Sequence, residues 1–543
     1  MKSSLIIYRS SFVLLIIVLL QACAAPESVT DIGNRRELFV EDSLIEKFEG
    51  GAHLRLHHPV IRELSLKHDA PWEGTGSGYH SIFKDGDLYR MYYKAWNINP
   101  IYEADRSRTE HAPHPLFCAY AESDDGIQWR KPNLGLYSFN GSKDNNIVMV
   151  SGLVGELDVD AGHPAVFKDD NPDAPEDTRY KAIFRSRGER GLLAFKSADG
   201  FNWLPMHDRP IITDGAFDSQ NLAFWDVDRG EYRAYWRFFD EGTKDEPYAG
   251  VREIRTATSP DFIHWENFED LTYQNSPREH LYTNQVRPYY RAPHLYIGFP
   301  TRYRERGYLD KGDAVHGAKL PGTHEELISR WSETLRELPE LDARIQRAKS
   351  NERYGAAITE GLLMASRDGV NFKRWNEAFL PPGIERTGSW NYGHQYIGWH
   401  VVETKSDLEG APNELSLYAG ESYWTGKGSA LRRYTLRIDG FVSVQAPASG
   451  GELLTQPIKF SGQKLSLNFA TSAAGRVRIE IQDLAGNPMP GYALAEAEAL
   501  FGDTVDRPVQ WRHGSDVSSL AGKAVRLRFV LEDAQVYSYQ FQN

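Results

Sequence analysis

The chain has 543 residues, of which 41% are hydrophobic and 25% charged, and its formal net charge is −13. That length exceeds one ordinary small domain, the balance is that of a water-soluble globular protein, and the acidic excess excludes a general nucleic-acid binder. Aromatic residues reach 12%, with 13 Trp and 28 Tyr, a content that suits β-sheet packing or stacking against sugars.

Residues 1–22 have the layout of a secretory signal: Lys2 and Arg9, then an apolar run from Phe12 to Leu20 too short for a membrane span. The run ends in Leu20-Gln21-Ala22-Cys23, which resembles a bacterial lipobox. The resemblance implies cleavage before Cys23, lipid on its sulfur, and export to the outer membrane. With Cys23 acylated, Cys118 has no disulfide partner, and two cysteines exclude a cysteine-rich zinc site. Residues 23–69 read as a lipidated linker with lead-in strands.

From about residue 70 a small unit repeats. "SDDGIQW" at Ser123, "SADGFNW" at Ser197, "SPDFIHW" at Ser259 and "SRDGVNF" at Ser366 each follow a short apolar strand. Ser and Asp side chains bond backbone groups in tight turns, and Gly takes the left-handed angle they need. The third copy carries Phe262 in place of Gly, so its turn is expected to differ. Upstream of each turn lies a pair of strands, as in "GYHSIFKDGDLYRMYYKAW". The spacing suggests propeller blades, five of them over residues 70–445. A polar, Leu-spaced, helix-like insertion near 306–352 interrupts blade four, with Pro339 as a break. Residues 446–543 alternate in strand fashion and read as a β-sandwich. The expected fold is therefore all-β: a five-bladed β-propeller followed by a C-terminal β-sandwich, with a helical insertion.

The Ser-x-Asp-Gly-x-x-Trp turns and the "DGDLYRMYYKAW" hairpin resemble five-bladed propeller glycosidases of glycoside hydrolase families 32, 43 and 130. The whole sequence looks most like family-32-like lipoproteins of polysaccharide-degrading bacteria. The resemblance places the substrate mouth where first strands begin and second strands end, on the face opposite the repeated turns.

Aligned on the second-strand tyrosines Tyr89, Tyr180 and Tyr232, the blades offer Lys94, Arg185 and Arg237 five residues on, and Arg302 stands six after Tyr296. The first strands begin with His80, His163, Asn221, Gln285 and His394. Polar groups converging in a concavity mark a ligand site. Hydrolysis of a glycoside needs two carboxyl groups, for which Glu73, Asp160, Asp218 and Glu360 are candidates. The "NDPNG"-like and Arg-Asp-Pro segments of family 32 are absent. Elimination from a uronic acid needs instead a cation beside the carboxylate and a His or Tyr to move protons. His80 and His163 suit that role, with His394 and Tyr392. A non-catalytic glycan-binding lipoprotein is the third reading, with Trp72, Trp390, Tyr392 and Trp424 as stacking platforms. The leading expectation is a glycoside hydrolase acting on an acidic, uronic or sulfated, poly- or oligosaccharide. No cofactor, catalytic metal or nucleic-acid partner is expected; a calcium held by axial carboxylates is the one ion left open.

Overall fold

A computed structural model describes residues 29–98, 113–243, 245–305, 332–339, 341, 345, 357–425 and 428–543. Cys23 and most of the insertion lie outside the described residues. The protein is almost entirely β and forms two bodies, a five-bladed propeller and a β-sandwich.

Blade one runs through Gly78–Asp85, Leu88–Ala95, Phe117–Ser123 and Ile147–Val150. Blade two has Leu157–Lys168, Tyr180–Ser186, Leu192–Ser197 and Leu204–Pro205, with Gly152–Val154 added inside. Blade three has Leu222–Asp226, Glu231–Phe239, Arg252–Ser259 and Glu266–Asp270. Blade four has Arg287–Tyr289, Ala292–Gly298, Met364–Ser366 and Asn371–Arg374. Its middle strands continue beyond a bend as Thr301–Glu305 and Ala357–Gly361. Blade five takes Val402–Thr404, Glu414–Glu421 and Ala430–Arg437, and its outer strand is Val60–Lys67 from before blade one. The ring is thus clasped by a strand read from sequence as a lead-in. Arg433 and Glu63, 370 residues apart, pair within the clasp.

The repeated turns carry one hydrogen-bond set. In blade one, the Gly126 N–H donates to Ser123 Oγ at 2.9 Å, and the N–H groups of Ile127 and Gln128 donate to Asp125 Oδ1 at 2.7 and 2.8 Å. Blades two and four repeat it at Ser197–Asp199 and Ser366–Asp368. Each turn also docks on a tyrosine of the blade before it. The Tyr235 hydroxyl donates to Gly369 O at 2.9 Å, and the Tyr418 hydroxyl donates to Gly126 O. A side chain at Gly200 would lie 2.4 Å from the Tyr92 hydroxyl, so glycine is required there sterically as well as for its φ of +83°.

The third turn differs in one half of its bond set. Phe262 adopts φ +71° and the Asp261 bonds to Ile263 and His264 are kept at 2.9 and 2.8 Å, but the N–H bond to the Ser Oγ made by Gly126, Gly200 and Gly369 has no counterpart at Phe262. The ring is buried against Phe167, Tyr232 and Trp265, and that burial offsets the left-handed strain. Phe262→Gly is expected to lower stability by about 1–4 kcal/mol, loss of the ring outweighing relief of strain. Urea unfolding checks this; a variant as stable as wild type would mean the ring contributes no more than its strain costs.

Farther around the same face, Tyr180 and Tyr232 reach back to Asp85 and Asp169 of the preceding blades at 2.5 and 2.8 Å, and Tyr296 reaches Asp226. The tyrosines that align the blades are therefore a belt between them.

The sandwich centres on two long antiparallel strands, Lys464–Gln482 and Ala524–Gln542. N-terminal strands complete it: Thr30–Gly33, Arg36–Leu38, Ile45–Gly50 and His53–Leu56 pair with strands between Val442 and Gln542. Buried Asp439, accepting from Tyr289 at 2.8 Å, Arg291 at 2.9 Å and Ser538 at 2.7 Å, joins the two bodies. Of the insertion, Glu333–Glu337 is a short helix capped by Ser332, and Leu338, before Pro339, is already extended. Cys118 is buried in blade one.

Candidate active site at the propeller mouth

Gly78 lies opposite Lys94, Asp160 opposite Arg185, and Arg237 opposite Ile254, so the ends of the second strands gather at one mouth. There a cup of aromatic side chains closes the axis: Tyr79 and Trp96 from blade one, Tyr282 and Tyr303 from the segments around blade four, and Tyr392, Tyr396, Tyr423 and Trp424 from blade five. Tyr79 stacks on Tyr396 with ring centroids 6.4 Å apart, and Tyr396 on Tyr282 at 5.4 Å. The Tyr392 hydroxyl donates to that of Tyr282 at 2.8 Å. The backbone here is strained. Tyr79, Gln285, Trp390, Gln395, Ser422 and Trp424 all have φ between +49° and +61°, a region that disfavours side chains and that concentrates at functional sites.

Charged groups stand in the cup wall. The Lys94 ammonium lies 4.5 Å from the Tyr79 ring centroid and donates to the Tyr423 hydroxyl at 3.0 Å. Burial pushes it down to about 7, against the pull of Asp160. In blade two a bulge between Asp160 and Ala165 swings His163 back over Asp160, and His163 Nδ1 donates to Asp160 Oδ2 at 2.9 Å. Burial alone would raise the Asp160 carboxyl; His163, Arg185 and the Gly162 N–H outweigh it and hold it at about 2. Burial lowers His163, with Asp160 opposing, so the ring is held towards its neutral form with Nε2 as the lone-pair nitrogen. His163 lies 5.5 Å from Tyr79, ring to ring. In blade three Arg237 pairs with Asp218 and lies over the Tyr282 ring at 5.0 Å. Arg185 and Asp218 are 34% and 42% exposed and mark where the cup meets solvent.

The remaining candidates lie elsewhere. Glu73 and His80 sit behind the wall. Glu73 accepts from Tyr93 at 2.6 Å and from Lys131 at 2.6 Å, and burial raises its carboxyl against the opposing Lys131 charge. His80 Nε2 meets His68 Nε2 at 3.1 Å, the two rings flanking Tyr93. Asn221 bonds the carbonyls of Phe217 and Ser219 in its own loop at 3.1 and 2.9 Å. Gln285 donates to Gln220 at 2.8 Å and to the Ile397 carbonyl at 2.7 Å, a plug across the axis. His394 Nδ1 accepts from the Trp390 N–H at 3.2 Å, and the Trp390 indole donates to Gly383 O at 2.8 Å, so both shape the rim loop. Arg302 is paired with Glu279 at 3.1 Å and Glu360 at 2.9 Å. Among the described residues no cluster of three His, Cys, Asp or Glu side chains is arranged to hold a metal ion.

Arg252 escapes an alignment on second strands, because it begins the third strand of blade three. Its guanidinium lies over Tyr303 at 4.6 Å, Phe239 at 5.1 Å and Tyr282 at 5.2 Å. The backbone N–H of Arg252 donates to His280 Nδ1 at 3.0 Å.

A cavity of about 690 Å³ opens on the opposite face between Tyr89, Arg287, Tyr290, His400 and Glu403. Size alone would favour it over the mouth. The strained residues, the His163–Asp160 pair and the buried cations converge at the mouth instead, where a cavity of about 20 Å³ lies under Tyr79 and Tyr396. Convergent perturbed groups are the stronger mark of chemistry.

The buried histidines set an acid limit on stability. Burial and then the Lys94 charge hold His80 at about 3, and burial holds His68 well below its usual 6.5. The unfolded protein takes up these protons first, so stability is full above 6.5 and falls as pH drops below it. The slope is about 1.4 kcal/mol per pH unit for each ring. Urea unfolding from pH 7 downward tests this, with His80→Gln expected to reduce the slope by about one proton's worth. A flat profile would show that these rings are charged in the fold.

Fold and mouth define a five-bladed β-propeller with an appended β-sandwich and one polar, aromatic-walled axial site. No protein-family model matches the sequence, and no curated protein sequence does. Solved structures of similar shape include a glycoside hydrolase at 11% identity and a TM-score of 0.40, the match covering 70% of this protein and 92% of that one. A thermostable family-43 glycoside hydrolase gives 13% and 0.38 over 70% and 96%. A fructofuranosidase from Schwanniomyces occidentalis complexed with fructosylnystose gives 10% and 0.35 over 89% and 96%.

Proposed function

We propose that this protein is a carbohydrate-active enzyme that takes an acidic poly- or oligosaccharide into the mouth and cleaves it by β-elimination from a uronate. The observation that carries the reading is the His163–Asp160 pair set against buried cations in an aromatic cup. His163 Nε2 removes the proton from C5 of the uronate. An adjacent cation stabilises the charge that spreads onto the carboxylate. The C5–H electron pair becomes the C4–C5 double bond, the C4–O bond breaks, and a phenol such as Tyr79 protonates the departing oxygen. Burial raises the Tyr79 hydroxyl, which therefore carries its proton at neutral pH.

Hydrolysis is the second reading, favoured by Asp160 and Asp218 on adjacent blades at one rim. It requires a protonated carboxyl as acid, whereas Asp160 is held ionised and Asp218 is bound to Arg237. Incubation with neutral, uronic and sulfated glycans separates the readings. A UV-absorbing unsaturated product supports elimination; new reducing ends without unsaturation overturn it for hydrolysis; a gel shift without product leaves a glycan-binding protein.

We also infer export as a lipoprotein, from the segment ending at Cys23. Cys23→Ala is expected to lose membrane association while the protein still folds. Recovery of that variant in salt-washed membranes would refute the anchor.

A further inference from the structure

Among the described residues nine Lys and Arg side chains are buried. Seven are ion-paired with a carboxylate: Arg36 with Asp439, Lys181 with Asp169, Arg233 with Glu231, Arg237 with Asp218, Arg374 with Glu279, Arg433 with Glu63 and Arg526 with Glu46. The two that are not, Lys94 and Arg252, are 3% and 8% exposed and both stand in the mouth. A buried cation without an ion-pair contact is costly, and it is the more conspicuous in a protein of net charge −13.

Each of the two is walled by three rings. Lys94 faces Tyr79, Trp96 and Tyr423 at 4.5, 5.6 and 5.1 Å; Arg252 faces Phe239, Tyr282 and Tyr303. Ring faces compensate a desolvated cation only in part, by ~2 kcal/mol or somewhat more. No ring is shared between the two sets, so these are two places and not one. Between them run the rings of Tyr79, Tyr396 and Tyr282, packed against one another and buried in the cup.

We propose that Lys94 and Arg252 are two separate anion-binding posts that take two acidic substituents, a carboxylate and a sulfate or a second carboxylate, on one oligosaccharide bound at the mouth. The inference rests on the mouth being the saccharide site, and it adds that a single charge on the ligand is not enough. Arg252 suits a planar carboxylate through two parallel N–H bonds, whereas Lys94 offers a point charge. Lys94 held near 7 is only partly charged when the site is empty, so an arriving anion recruits a proton to it.

The test measures binding, independently of turnover. A disaccharide bearing one uronate and one sulfate, its desulfated counterpart and a neutral disaccharide are titrated calorimetrically against the intact protein, and the melting temperature is followed with each. The doubly charged sugar is expected to bind about 10- to 100-fold more tightly than the singly charged one. Its binding near neutral pH should take up a fraction of a proton, read from the change in heat between buffers of different ionisation enthalpy. Lys94→Met and Arg252→Met should each remove the advantage of the second charge, while the melting temperature without ligand stays the same or rises. Equal affinity for the singly and doubly charged sugars overturns the proposal, as does a lower ligand-free melting temperature in both variants, which would make the cations structural staples. The proton uptake needs no variant and stands if either fails to fold. Charge-dependent binding without cleavage would retire the elimination reading and leave the two posts standing.

Discussion

Turnover of an acidic oligosaccharide is expected to fall roughly 10²–10⁴-fold in His163→Ala, the range that a positioned general base supplies. The melting temperature should change little, because the ring's side-chain hydrogen bond is to Asp160, which Arg185 and the Gly162 N–H also hold. Asp160→Asn should lose activity by a similar route. Its amide no longer fixes the proton on Nδ1, so Nε2 is not reserved as the lone-pair nitrogen. The acid limb of the wild-type pH profile should lie below the usual imidazole value, since burial lowers His163. Steady-state kinetics with the best uronic substrate provide the measurement. Near-normal turnover in His163→Ala would remove the base from the mechanism, and with it the elimination reading.

Trp203→Ala should have the largest effect on stability. Trp203 follows the turn of blade two and packs edge-on against Tyr92 of blade one at 6.3 Å and Phe184 of its own blade at 6.4 Å. Loss of so large a buried ring costs about 3–5 kcal/mol. Trp129, meeting Tyr418 of blade five at 5.8 Å, is only partly buried, so Trp129→Ala should cost less. Both variants should turn over near-normally at low temperature, because these turns lie at the Tyr89 end of the blades and Lys94 at the other. Thermal melts and low-temperature assays together decide it: unchanged melting with lost turnover would place the turns at the wrong end.

The repeat was legible because it is local. Ser123, Asp125 and Gly126 satisfy one another within four residues, so residue types alone announce the turn. Phe262 shows the limit, since tertiary burial there overrides a backbone preference. The clasp was not legible. Val60–Lys67 pairs in shifted register with Ala430–Arg437, some 370 residues away, and no local pattern joins the two. At the mouth, equivalence between blades located Lys94, Arg185 and Arg237 but could not tell which were already neutralised. Asp160 and Asp218, read as acids for catalysis, are the counter-charges of Arg185 and Arg237. Arg252 begins a third strand and Tyr282 and Tyr396 lie in loops, where blades differ and alignment has nothing to align, while Tyr79 sits in a first strand beside His80, where the alignment picked out only polar residues.

Arg36 lies opposite Gln540 and Val60 opposite Thr435. Both bodies are therefore sealed by segments that meet only when synthesis is nearly complete, and a growing polypeptide carries open strand edges until then. The mouth inherits this timing. Lys94 is among the early residues to emerge and Tyr423, which walls it, among the late ones. A polypeptide stopped after four blades has lost the Tyr423 wall and the clasp partner of Val60–Lys67, so truncated forms should be catalytically silent, never partly active, and the site should come into being in one late step.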